Sequence, residues 1–414
     1  MKRRRLGILA THPIQYYASW YRALAQQALL TVFFAHEQSA SEQADAGFGV
    51  AFDWDVPLLD GFEARFLRNR SPRPNVSTFL GCDTPDIESE IRNGGFDAFI
   101  VHGWYTKSFL QALRACRRHR VPVLVRGDSQ LVTHRSFLWK LTKRPLYQWL
   151  LSRFDGYLCV GQRNREYYLH YGADADRIFF APHAVDNEFF ATKARALQRE
   201  RPMLRRALGI PPDAIVYLFA GKLIGKKRPA DYLRALQQAS REQPTIHGLL
   251  VGDGPLRAEL QELAQQERIA VSFAGFMNQS RIPEAYAASD LIVLPSDGRE
   301  TWGLVVNEAM ACGLPALVSD AVGCGPDLVH RGITGDIFPV GDVHDLAQLM
   351  SDWGKDRSRL LDAGVRAREL SSRYSVAVSV AGTMAAIESI CSSQDADRVI
   401  NPPRSVARLR SGLS

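Results

Sequence analysis

Eleven short apolar runs, separated by longer stretches of helical spacing, recur along most of the chain and narrow the folds open to it. The first series is Leu6 to Ala10, Leu30 to Phe34, Ala98 to Val101, Val121 to Val125, Tyr157 to Val160 and Ile178 to Phe180. The second is Ile215 to Ala220, Ile246 to Val251, Val271 to Ala274, Leu291 to Leu294 and Ala316 to Val318. Continuous apolar runs of this length suit strands covered on both faces, which happens when each strand returns through a helix to a parallel neighbour. The series are divided by Ala181-Pro-His-Ala-Val-Asp186 and a charged helical stretch to about Arg206. The expectation is an α/β chain of two doubly wound domains, residues 1–183 and 184–372, facing each other across a cleft. At 414 residues each half can bury its own core. No short-period repeat interrupts the pattern.

Composition excludes more than it assigns. With 46% hydrophobic and 23% charged residues there is no case for general disorder. A net charge of +7 favours an anionic partner: a nucleotide diphosphate, an anionic lipid or nucleic acid. Nucleic acid is the poorest fit, because the basic residues are dispersed rather than interleaved with stacking aromatics. Cys82, Cys116, Cys159, Cys312, Cys324 and Cys391 include no C-x-x-C pair and read as buried thiols, which suits a cytoplasmic chain. The basic start Met1-Lys-Arg-Arg-Arg5 imitates a signal peptide, but its apolar stretch ends at Thr11-His12-Pro13 and reads as a first strand. No uncharged apolar stretch reaches the ~18 residues of a spanning helix. From Ser392 the chain turns polar and basic, with Arg404, Arg408 and Arg410, and is expected to form a loose tail.

Ligands of open parallel sheets bind at the carboxyl ends of the strands, so the residues just after each run are where chemistry is sought. After Leu294 the sequence reads Pro-Ser-Asp-Gly-Arg-Glu300-Thr-Trp-Gly303-Leu-Val-Val-Asn-Glu308. Helical content over Leu304 to Ala311, ended by Gly313, puts Glu300 on a strand-to-helix loop and Glu308 inside the helix. Gly303 has no Cβ, so an anion can approach the free N–H groups of Gly303, Leu304 and Val305, where the helix dipole favours negative charge. A diphosphate fits there. Carboxylates beside it must point past it toward hydroxyls, a sugar for Glu300 and a ribose for Glu308; the bland alternative is a surface Glu and an ordinary helix Glu.

Strand Ile215 to Ala220 leads into Gly221-Lys222-Leu-Ile-Gly-Lys-Lys227, where Gly221 allows a close turn and Lys222 and Lys227 are point cations for a phosphate. A solvated basic turn is the alternative. Val251-Gly-Asp-Gly-Pro255 reads as a tight turn, and Phe273-Ala-Gly-Phe276 as exposed backbone able to meet a nucleobase, with core packing the competing role for Phe276.

Taken in order, these segments resemble the retaining glycosyltransferases of the GT-B architecture, family four. The matching text is Gly221-Lys222-Leu223 with Lys227, Val251 to Pro255, Pro295-Ser296, the Glu300 and Glu308 pair, Glu308-Ala-Met-Ala-Cys-Gly313 with Pro315, and Thr334-Gly335. Pro182-His-Ala-Val-Asp186 is similar to that family's linker, and Tyr374 to Ile390 to its closing helix, which returns to the first domain; residues 373–391 are assigned to it and 392–414 to the tail. The resemblance implies two Rossmann-like domains, with Lys222 and Lys227 on the donor diphosphate, Glu300 on the donor sugar and Glu308 on the ribose. Two departures stand out. Lys222 occupies a position where arginine is commoner, and Gly323-Cys-Gly-Pro-Asp327 replaces two adjacent glycines and a glutamate.

The first half carries weaker signals. Thr11-His12-Pro13-Ile-Gln-Tyr-Tyr17 stands where many relatives have a glycine-rich loop, and His12 is a candidate for phosphate or acceptor. Val101-His102-Gly-Trp104 resembles a common family pattern that places His102 at the cleft as a catalytic candidate. Arg126 and Asp128, after the next strand, are candidates for acceptor or sugar contacts, or else form a local ion pair. His134 to Arg153 mixes Lys140, Lys143, Arg144 and Arg153 with Phe137, Leu141, Trp149 and Leu150; a core helix with basic rims is favoured over one resting on anionic lipid.

The expected function is transfer of a sugar, with retention and without a metal or other cofactor, from a nucleotide-diphosphate donor to a hydroxyl acceptor. A polysaccharide or lipid-linked precursor at the inner face of a bacterial membrane is implied by the resemblance. The alternatives are a sugar-nucleotide epimerase on the same architecture and a non-catalytic scaffold subunit of a polysaccharide assembly complex.

Overall fold

A computed structural model describes residues 3–43, 49–131 and 137–400 of the chain. Its first half is a parallel sheet of β1 (Arg5–Ala10), β2 (Leu29–Phe34), β3 (Glu63–Phe66), β4 (Ala98–Val101), β5 (Val123–Gly127), β6 (Gly156–Cys159) and β7 (Ile178–Phe180), ordered β3-β2-β1-β4-β5-β6-β7. The second half holds β8 (Ile215–Ala220), β9 (Ile246–Val251), β10 (Val271–Gly275), β11 (Leu291–Leu294), β12 (Ala316–Ser319) and β13 (Gly335–Phe338), ordered β10-β9-β8-β11-β12-β13. Every pairing is parallel. In both sheets the order reverses beside the first strand, the doubly wound pattern.

Every strand but the edge strand β3 feeds two cores, because successive side chains point to opposite faces. On β8, Ile215, Tyr217 and Phe219 enter one apolar cluster and Val216, Leu218 and Ala220 the other. Burying a side chain of this size contributes about 1.5–3 kcal/mol, so a one-residue register slip would lose several such terms together.

Two strands have no counterpart in the apolar runs. β3 reads Glu-Ala-Arg-Phe, an exposed edge whose Glu63 and Arg65 form an ion pair at 2.6 Å, and β13 opens on Gly335 and carries Asp336. β5 begins at Val123 rather than Val121, since Pro122 has no N–H to give the ladder.

The closing helix, Val376–Ile400, lies on the first sheet. Its Val380, Ala386, Ile387 and Ile390 join the cluster of Leu6, Ile8, Ile100 and Leu124, and Gly382 sits where a Cβ would come within 1.8 Å of the Phe180 carbonyl oxygen. The helix runs on past Ser392, where a tail was expected. The remainder of that tail, residues 401–414, lies outside the described residues, with Arg404, Arg408 and Arg410.

Candidate functional site

The strand orders fix where a cleft can open. β8 and β11 are neighbours whose connections run to opposite sides, so the chain after each borders one crevice: Gly221-Lys222 after β8, and Pro295 to Gly303 after β11. In the first sheet the same rule selects the ends of β1 and β4, which lead to His12 and His102.

A cleft of about 520 Å³ lies between the halves. From the second half it is lined by Gly221, Lys222, Lys227, Phe276, Val305 and Glu308, and from the first by His12, Tyr16 and Trp54. Glu300 joins this group through Lys227, whose Nζ lies 2.5 Å from a Glu300 carboxylate oxygen. Burial pushes the Glu300 carboxyl up, but Lys227 and Lys226 outweigh it and hold the group below the usual range, so it is ionised. Lys222 is pushed down to about 8 by burial and by its like-charged neighbours Lys226 and Lys227. A bound anion would reverse that shift.

Backbone geometry makes room for such an anion. Gly303 precedes the helix Leu304–Ala311 with φ of 103°, a conformation that side-chain-bearing residues rarely adopt. Gly252, beside Gly221, has a φ of 131°, and a Cβ there would lie 1.9 Å from the Gly221 carbonyl oxygen. The first N–H groups of the helix have no intrahelical acceptor and are available to a ligand. Val305 reaches the cleft lining, whereas Gly303 and Leu304 are not part of it.

Glu308 is buried among hydroxyls. Tyr286 donates to its carboxylate from the second half and Tyr16 from the first, while burial raises its pKa to about 7. A carboxylate within hydrogen-bond reach of two phenols can receive a ribose hydroxyl by exchanging one of them. Phe276 packs its ring 4.3 Å from Phe52, and Asn278 Nδ2 donates to the Asp53 carbonyl at 2.7 Å, so the loop around Trp54 covers this end of the cleft.

In the first half the expected residues separate. His12 lines the cleft; burial, with lesser contributions from His36 and Lys222, lowers its pKa to about 4, and it is neutral at pH 7. His102 is outside the cleft lining. Its ring meets Tyr17 edge-on at 4.5 Å and lies 3.5 Å from the Tyr21 hydroxyl, and burial lowers its pKa to about 3. Arg126 is buried and donates to the carbonyls of Ala181 at 2.5 Å and Pro182 at 3.0 Å, stacked over Trp20. It clasps the linker rather than a ligand. Asp128 accepts from the Thr301 hydroxyl at 2.6 Å across the domain gap. The local Arg126–Asp128 pair is therefore not formed.

Tyr16, Trp54, Tyr286 and Gln130 were not singled out from sequence. Gln130 Nε2 lies 3.0 Å from the Gly298 carbonyl and 3.2 Å from that of Glu300, a contact across the halves that no motif announces. Only Tyr16 had a signal, in the segment replacing the glycine-rich loop. The altered segment Gly323 to Asp327 also faces the first half: Asp327 accepts from the Gln162 N–H at 3.1 Å and from the Tyr374 hydroxyl at 3.1 Å.

The profile of glycosyl transferases group 1 matches residues 200–370, and that of glycosyltransferase family 4 matches residues 15–189. The chain belongs to the family 4 glycosyltransferases. The chain is 35% identical over 210 residues to a D-inositol 3-phosphate glycosyltransferase of Thermomonospora curvata, covering 47% of this chain and 48% of that one. It is 31% identical over 193 residues to the sulfoquinovosyl transferase SQD2 of Arabidopsis thaliana, 46% of this chain and 36% of the relative. The chain thus spans about half the length, or less, of these curated relatives. Among solved structures, Anabaena HepE in complex with UDP superposes with a TM-score of 0.70 at 18% identity, over 93% of this chain and 100% of that one. A glycosyltransferase of Rickettsia africae gives 0.72 at 14% identity, over 94% and 99%. At such identities the likeness speaks for the fold, which is GT-B.

Proposed function

We propose that this family 4 glycosyltransferase moves a sugar, with retention of anomeric configuration and without a metal, from a nucleoside diphosphate to a hydroxyl acceptor. The observation that carries the reading is the convergence of Lys222, Lys227, Glu308 and the first-turn helix residue Val305 on one crevice, with Glu300 joined to it through Lys227. In the reaction the bond from the anomeric carbon to the diphosphate oxygen breaks, and its electron pair leaves with the diphosphate. Lys222, Lys227 and the helix N–H groups offset that growing charge. The acceptor oxygen bonds to the anomeric carbon on the face being vacated and passes its proton to the departing phosphate oxygen. Glu300 orients the sugar, held ionised by Lys227, and Glu308 receives the ribose. The fold likeness to HepE, solved with UDP and with UDP-glucose, favours a uridine donor.

His12 lines the crevice from the first half, where it is a candidate for phosphate or for an acceptor entering from that side. A lipid-linked or polysaccharide acceptor agrees with the helix Phe137–Leu151, where Leu146 and Trp149 are 57% and 56% exposed beside Lys143 and Arg153. The side chains of residues 137–142 lie outside the described residues, as does the segment 132–136. No helix among the described residues is long and apolar enough to cross a membrane.

Thermal denaturation against a panel of nucleotide sugars identifies the donor, since a ligand bound to the native state alone raises Tm. Product analysis then decides the class. A glycoside with the donor's anomeric configuration plus free nucleoside diphosphate supports transfer with retention. An epimerised sugar nucleotide would establish the epimerase reading, and tight donor binding without any turnover the scaffold reading.

A further inference from the structure

The crevice has a neighbour on the far side of Tyr286. A second cavity, of about 620 Å³, opens between the helices Asn187–Leu197, Arg201–Ala207, Ile282–Ala288 and Arg357–Ser371. Its lining carries Arg195, Arg201, Arg205, Arg357 and Arg368 against one carboxylate, Asp290. Asp290 is taken up by two of them, Arg201 at 2.5 Å and Arg205 at 2.8 Å. Arg205 is structural, buried and donating also to the carbonyls of Ala288, Pro212 and Ala214. The other three are exposed, and their hydrogen bonds go to neutral acceptors: Arg195 to Ala191 and Thr192, Arg357 to the Asp213 carbonyl, Arg368 to the Cys312 carbonyl. Among the described residues none of those three has a carboxylate within ion-pair distance.

Apolar surface lies between these charges. Leu361 and Val365, one helical turn apart on Arg357–Ser371, are 70% and 56% exposed, over a floor of Leu314 and Leu360. Like charges around one cavity repel, and exposed apolar groups at its mouth gain nothing from water. A single ligand that is anionic at one end and apolar at the other relieves both.

We propose that this cavity is a second binding site, for a phosphate-bearing molecule with an apolar portion, back to back with the donor crevice. The two sites share Tyr286, which lines both and whose hydroxyl donates to Glu308. They also share the helix Leu304–Ala311, which begins at the crevice and is followed by Cys312 and Gly313 in the second cavity. That helix is a rod of roughly 12 Å, short enough to carry a shift from one end to the other. Occupancy of one site therefore changes affinity at the other, reciprocally. This coupling rests on the donor-site reading; binding itself does not.

Octyl phosphate, competing against the fluorescent anion 8-anilinonaphthalene-1-sulfonate on the full chain, tests the site. Saturable binding of the dye, displaced by octyl phosphate and not by octanol, is expected. The double variant Arg195→Ser, Arg357→Ser should weaken binding by about 10-fold or more, and Lys222→Ala should leave it in place. Unchanged affinity in the double variant, with its circular dichroism spectrum retained, would overturn the proposal, and so would loss of binding in Lys222→Ala, which would put the ligand in the donor crevice. Sedimentation with phosphatidylcholine vesicles containing phosphatidic acid, dependent on the same two arginines, would assign the phosphate to a lipid. Free octyl phosphate binding without such sedimentation would assign it to a soluble metabolite, and either result upholds the site. A UDP affinity unmoved by saturating octyl phosphate would remove the coupling through Tyr286.

Discussion

At the scale of residues, charge decides the chemistry and burial sets the pH at which it operates. Replacing Lys222 and Lys227 together by alanine should lower kcat by on the order of 100-fold or more, as for other donors that act on transition-state charge. A parental rate in single-turnover assays would remove the electrostatic mechanism. Glu308, raised by burial to about 7, accepts a ribose hydroxyl best when ionised, so donor capture should rise with pH through that value. Lys222, lowered by burial to about 8, loses its charge above it, so capture should fall again. The expected kcat/KM profile is a narrow bell with one limb near each value; Glu308→Gln should flatten its acid limb. Linkage adds a check on stability. The Glu308 proton is held more tightly in the folded chain than at the ordinary 4.5, so its contribution is complete below 4.5 and lost as pH rises through about 7. The Tm of Glu308→Gln relative to the parent should therefore increase from about pH 5 to about pH 8.

Elements were legible in the sequence to the degree that burial wrote them in apolar letters. The runs at Ala98 to Val101, Ile215 to Ala220 and Ile246 to Val251 match their strands because both faces of each are covered. β3 escaped because an edge strand carries charge, and β13 because a glycine and an aspartate interrupt its apolar run. The helix at Leu304 was readable from the glycines at either end, and with it the positions of Glu300 and Glu308. Contacts made across the halves were not readable, since nothing local in Gln130 or Trp54 marks its partner. Gly303 offers a test at this scale. An alanine there must adopt φ of 103° and bring its Cβ within 2.7 Å of Leu294 Cδ2. A loss of about 1–3 kcal/mol is expected, visible as a lower Tm, together with weaker donor binding. A variant as stable as the parent would show that the turn tolerates a side chain.

For the whole molecule, two sets of contacts close the cleft from opposite flanks. On one, Asp128 meets Thr301 and Gln130 reaches Gly298 and Glu300; on the other, Asp53 meets Asn278 and Asp55 meets Ser280. Contacts of this kind hold the two halves together beside the cleft. Replacing Asp128 and Gln130 by alanine should increase the radius of gyration of the ligand-free protein in small-angle scattering and lower kcat. Scattering indistinguishable from the parent would mean that the first flank does not hold the halves together. The helix Val376–Ile400 imposes an order on synthesis as well. The apolar face formed by Leu6, Ile8, Ile100 and Leu124 receives its cover from Val380, Ala386, Ile387 and Ile390, which the ribosome adds more than 250 residues after Leu124. The amino-terminal half is therefore synthesised with a greasy flank that lacks this cover, open to chaperones and to neighbouring nascent chains until the last helix has been made.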